Sequence, residues 1–160
     1  MLLIYIVFNR HPIAGRESMN HSTLMKTLTY LGATPFFLAL YVQLSGQSFL
    51  GVTGTQWFLS YGLVILSFMA GTLWGQVVNH SLQAKPIAVL SNIITLAAWF
   101  AFLLAGAAQA VVVIALGFSA LYAVERWVLA AITRPDYYLA LRLRVTALVL
   151  LAHGLMLWHV

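Results

Sequence analysis

The chain has no cysteine, and its acidic residues number only three, Glu17, Glu125 and Asp136. The first absence excludes disulfides, thiolate metal sites and cysteine nucleophiles. The second leaves general acid–base chemistry poorly supplied, with no paired carboxylates in the sequence. Charged residues of both signs make up 7% of the chain, against about 25% in a soluble domain. So few charges cannot cover the surface of a water-soluble fold. There is no glycine-rich phosphate loop, no HExxH, no CxxCH, no histidine-rich cluster and no Ser-His-Asp arrangement. No catalytic residue, metal or cofactor is therefore expected, and the chain does not read as an enzyme.

What is present is apolar. Hydrophobic residues reach 62% and the mean hydropathy is +0.95, which places the chain in a bilayer. A helix needs about 20 mostly apolar residues to cross one. Five stretches qualify, at about 24–44, 57–77, 86–106, 108–130 and 138–158. The run from Ile87 to Val124 carries no charge and is too long for one crossing, so Gly106-Ala107-Ala108-Gln109 is the expected reversal. The predicted fold is all-α, a polytopic membrane protein whose five helices form one domain over 19–160. Residues 1–18 read as an N-terminal extension, with Met19 an alternative start. Their apolar run, Leu2–Phe8, is too short to span and lacks the flanks of a signal peptide.

The net charge of +5 does not mark a nucleic-acid binder, because no helix or loop presents a dense basic face. Its meaning is orientation. Arg10, Arg16 and Lys26 precede or open the first helix, and Lys85 lies between the second and third. Arg126, Arg134, Arg142 and Arg144 surround the connection between the fourth and fifth. All the basic residues thus fall on one side of a five-helix topology. The positive-inside rule makes that side cytoplasmic, with the N-terminus inside and the C-terminus outside. Tyr41, Trp57 and Trp158 then belong to the outer interface, and Trp74, Trp127, Tyr137 and Tyr138 to the inner one. These rings read as interfacial anchors.

Ser67, Gly71 and Gly75 recur at i, i+4 and i+8, on one face of the second helix. Glycine is a poor helix former, yet within lipid small residues let backbones approach closely. Ala97, Ala101 and Ala105 repeat at the same spacing on the third helix. The two faces are expected to pack on each other within one chain, the alternative being a seam between two copies.

Glu125 is the most informative polar residue, since an acid inside a membrane normally finds a partner or water. It lies nine residues before Arg134, and Arg142 lies eight after it. In an antiparallel hairpin rising about 1.5 Å per residue the two arrive at similar depth. A Glu125–Arg142 pair, or Glu125–Arg144, is expected to pin the last two helices. Pro35 is expected inside the first helix, with a possible kink. Gln76, Asn79 and Asn92 share a depth near the cytoplasmic ends of the second and third helices, where they could hydrogen-bond across the hairpin or line a shallow polar site. His153, in an apolar helix, reads as a hydrogen-bonded packing residue. A ligand role for it is the alternative.

The pattern Tyr61-Gly62, Ile65, Ser67-Phe68, Gly71 and Trp74-Gly75 resembles the signature of domain-of-unknown-function family thirty-four twenty-nine. Leu31-Gly32 with Pro35-Phe36 matches it as well. So does Tyr137-Tyr138-Leu139 with Leu141-Arg142 and Thr146, and the likeness runs from about Leu28 to His153. It departs at Glu125, where members of the family tend to carry Asp. The resemblance implies a small bacterial inner-membrane protein, related to mitochondrial transmembrane protein sixty-nine, and no established activity. The expected function is an accessory or assembly partner of a larger membrane complex, respiratory by that kinship. Its partners would be membrane lipids and another membrane protein or a second copy of itself, with no nucleic acid. The alternatives are a small oligomeric transporter, channel or lipophilic-ligand carrier with Glu125 in its path, and, more weakly, an intramembrane enzyme using His153 or Glu125.

Overall fold

Residues 16–77, 81–130 and 136–160 are described by a computed structural model. The chain divides into two units, Met1–Gly32 and Ala33–Val160. The first contains helix α1 (Arg16–Leu31), and past its last turn the Gly32 N–H donates to the Leu28 carbonyl at 3.0 Å.

The second unit holds α2 (Thr34–Leu44), a small hairpin of β1 (Ser48–Phe49) and β2 (Val52–Thr53), and four long helices. These are α3 (Gly54–Val77), α4 (Ser81–Leu104), α5 (Ala107–Ala130) and α6 (Asp136–Leu157). Among the described residues five stretches are long and apolar enough to cross a membrane: Lys26–Leu44, Gly54–Gly75, Lys85–Leu104, Ala107–Trp127 and Tyr138–Leu157. The protein is a helical, multi-pass membrane protein.

The first span, expected over about 24–44 with a kink at Pro35, is interrupted elsewhere. The backbone turns at Gly32–Ala33, and a new helix begins at Thr34. Pro35 sits in the first turn of α2, where its missing N–H would have had no helical acceptor and its fixed φ suits the helix. It starts a helix; it does not kink one. The third and fourth spans separate at Ala105–Gly106, at the edge of the expected reversal.

Within the second unit α3 packs on α2, α4 and α5, α5 packs also on α4 and α6, and α2 meets α6. The shared core includes Phe36, Phe58, Leu66, Ile114, Leu121 and Met156, all fully buried. Two glycines permit the closest approaches. A side chain at Gly117 would begin 2.9 Å from Leu66 Cδ2, and one at Gly54 would begin 2.7 Å from the Ala39 carbonyl oxygen. Hydroxyls along the spans bond back to their own helices, Ser67 to Leu63 O at 2.8 Å and Ser119 to Ala115 O at 3.0 Å. Such bonds satisfy polar groups where no water is available.

One end of the bundle carries the hairpin, which reverses through Leu50 (φ 54°) and Gly51 (φ 75°). Two successive left-handed residues are the requirement of a two-residue turn whose twist matches its strands. Trp57 Nε1 donates to the Phe49 carbonyl at 3.1 Å and holds the hairpin on α3. Gln43 fastens the same end. Its Oε1 accepts from Thr55 N at 3.1 Å and Thr55 Oγ1 at 2.9 Å, capping α3, while its Nε2 donates to His159 O at 3.4 Å. The last turns of α3 and α5 and the first turns of α4 and α6 lie at the opposite end, toward which Lys85, Arg126, Arg142 and Arg144 are placed.

Candidate functional site

Among the described residues two buried ionisable side chains, Glu125 and His153, and one uncovered helix face stand out. The first centre is Glu125 on α5. Its side chain is 2% exposed, and Arg142 of α6, itself 13% exposed, brings Nη2 to 2.6 Å from Oε2. Arg142 Nε donates to the same oxygen at 2.7 Å, and Tyr138 OH donates to Oε1 at 2.7 Å. The remaining terminal nitrogen, Nη1, reaches Met69 Sδ on α3 at 3.0 Å. Tyr138 and Arg142 are one helical turn apart and so converge on one carboxylate. Both Glu125 oxygens are engaged by strong, charge-assisted donors. The arrangement is a three-helix fastening, with its charge neutralised where it is buried. Arg144, the other expected partner, is exposed and takes no part. Met69 and Tyr138 were not anticipated: Tyr138 reads as an anchor in sequence, and Met69 carries no polar signal.

The second centre is His153 on α6, 2% exposed. Its Nδ1 lies 2.7 Å from the Val149 carbonyl. A carbonyl only accepts, so Nδ1 carries the proton in that bond. Nε2 is buried and has no hydrogen-bond partner among the described residues. Three aromatic rings surround the imidazole, with centroids at 4.7 Å (Phe58), 5.5 Å (Phe36) and 5.6 Å (Phe118). A side chain at Gly62 would begin 3.3 Å from Ile114 Cγ2, a tight contact, and 3.8 Å from Nε2, an ordinary one. His153 also borders an apolar groove of about 240 Å³ between α5 and α6, lined by Val112, Leu116, Leu150 and Leu157 among others. Among the described residues no three His, Asp or Glu side chains come together as a metal site.

The third feature corrects an expectation. Ser67, Gly71 and Gly75 are exposed, as are Ala97 and Ala105, and Ala101 is half-buried. A side chain added at Gly71 or Gly75 would meet nothing within 4 Å. The two small-residue faces therefore do not pack on each other. The buried face of α3 is the neighbouring one, Gly62, Leu66, Ala70 and Leu73. The α3–α4 contact is marked instead by Trp74 Nε1, which donates to the buried Ser91 hydroxyl at 2.8 Å. Asn92 is exposed and bonds to Ala88 O of its own helix at 3.0 Å, and among the described residues it makes no bond across the hairpin. The side chains of Gln76 and Asn79 lie outside the described residues.

A family model described as protein of unknown function (DUF3429) matches residues 22–158. No curated protein and no solved structure matches the chain.

Proposed function

This chain belongs to the DUF3429 family of proteins of unknown function, and from that premise we propose a non-catalytic role in the bacterial inner membrane. The protein serves there as an accessory or assembly partner of a larger membrane complex, a respiratory complex being the first to examine. Its basic end faces the cytoplasm and its C-terminus the outside, as the distribution of Lys and Arg supports. The observation that carries the reading is the uncovered Ser67–Gly71–Gly75 face of α3. Lipid offers no hydrophobic drive for helix association, so a face that admits close backbone contact is what a partner helix needs. The saturated Glu125 centre supports a structural part for the acid.

The test is purification in mild detergent followed by native mass spectrometry. Stoichiometric recovery with a heteromeric complex, lost in Gly71→Leu while the chain's own thermal midpoint holds, is the expected result. Recovery as a single chain would defeat the reading. A homo-oligomer holding a lipophilic molecule would favour a second one, a carrier, which the groove beside His153 supports better than a path through Glu125. Orientation is checked separately, by an enzymatic reporter after Val160 that works only outside the cytoplasm.

A further inference from the structure

The outer seam between α5 and α6 carries a second groove, of about 220 Å³, at the basic end of the bundle. It is lined by Tyr122 and Arg126 of α5 and by Leu139, Ala140 and Leu143 of α6. Arg126 is one residue beyond Glu125, about 100° around the helix, and the two side chains meet different fates. Glu125 turns inward to Arg142 and Tyr138. Arg126 is exposed, and neither it nor Tyr122 forms a hydrogen bond or ion pair among the described residues. A cation and a phenol one turn apart thus border an otherwise apolar groove, with no anion beside them among the described residues. Arg126 also stands at the very end of its span, Ala107–Trp127, at the depth of lipid headgroups.

This groove and the one beside His153 share no lining residue but lie along the same α5–α6 seam. Val112, Leu116 and Ser119 line the deeper groove, and Tyr122 and Arg126 the shallower. These positions recur every three or four residues and so share one face of α5. On α6 Leu143 lies two turns before Leu150, and Gly154 and Leu157 follow at four and three residues, so they too share one face. From Arg126 to the middle of the deeper groove, near Ala115, the helix rises about 16 Å. One leaflet's hydrocarbon is about 15 Å thick. The seam therefore matches a molecule with an anionic head and a chain one leaflet long.

We propose that this face binds an anionic phospholipid, its phosphate at Arg126 and Tyr122 and an acyl chain along the seam past Leu143 toward Leu116. The inference is independent of the partner reading, because it concerns α5 and α6 and not the small-residue face of α3.

Native mass spectrometry of the detergent-purified full chain tests it. Phosphatidylglycerol and phosphatidylcholine with the same acyl chains are titrated in parallel, and inorganic phosphate is added in a third arm. The expected result is retention of phosphatidylglycerol over phosphatidylcholine, unaffected by millimolar phosphate. Arg126→Gln lowers that retention about fivefold, the loss expected for one basic contact at a membrane surface. Lys85→Gln, which removes the same charge from the same end but from α4, leaves it within about twofold. Leu143→Trp fills the groove at an exposed position and lowers retention without removing charge. Equal retention of the two lipids, equal loss in Arg126→Gln and Lys85→Gln, full retention in Leu143→Trp, or displacement by phosphate would each overturn the proposal.

Discussion

Glu125 and His153 are both buried to 2% or less, and they are held in opposite ways. The acid takes its donors from one neighbouring helix, α6, and one of them, Arg142, also reaches a third helix through Met69. The imidazole makes one bond to its own helix and is otherwise packed among phenyl rings, with one nitrogen left over. The difference follows from what each group requires. A carboxylate in a low-dielectric interior needs its charge met, and meeting it recruits neighbouring helices. An imidazole also offers an aromatic body, so it can be packed as a ring with a single hydrogen bond. Burial alone therefore does not tell which polar residue holds a membrane bundle together. The partners do.

The largest expected effect tests the charged side of this contrast. Arg142→Leu strands the Glu125 carboxylate and should destabilise the chain by roughly 3–5 kcal/mol, the usual cost of breaking a buried pair from one side. Replacing both residues by leucine should recover most of that. The reading fails if the single variant matches the parent in thermal midpoint in detergent. Tyr138→Phe comes next, because it removes one charge-assisted bond and leaves the guanidinium in place. A loss of about 1.5–3 kcal/mol is expected, and no loss would reduce Tyr138 to the interfacial anchor its sequence suggests. His153→Phe keeps a ring among Phe36, Phe58 and Phe118 but removes the Nδ1 bond to Val149 along with Nε2, so a loss of about 0.5–1.5 kcal/mol is expected, the usual worth of one hydrogen bond. A collapse of stability there would mean that Nε2 is bonded in the membrane to a water or ligand. Smallest of all, Gly71→Leu should move the stability of the chain alone by no more than about 0.5 kcal/mol. A larger loss would show that the face is covered within the chain after all.

Much of the fold could be read from the sequence because lipid imposes simple arithmetic. A span needs a fixed length, and charges mark its ends, so five crossings and their reversals follow from composition. The Glu125–Arg142 depth followed from counting residues on both sides of a turn. That same counting could not supply Met69, because it describes one hairpin and the sulfur comes from α3. The small-residue stripe failed for a physical reason. Periodicity shows that Ser67, Gly71 and Gly75 share a face, while Leu66, Ala70 and Leu73 share the next one around. In water, polarity would mark which of them points outward. In lipid both faces are apolar, and the pattern loses that sign. The break at Gly32–Ala33 was hidden similarly, since hydropathy runs across it without a change.

The α2–α6 contact has a consequence for how the protein is made. Spans emerge from the ribosome in order, and the helix that supplies His153 and Met156 follows the other four. Until it arrives, the ring of Phe36 has only part of its surroundings, and Gln43 has only one of the groups it will join. The half-built protein must wait in the bilayer with that flank open, where an insertase or an early-arriving companion could shield it. Quality control that samples unfinished membrane proteins would find its opportunity there, on the first crossing and not the last.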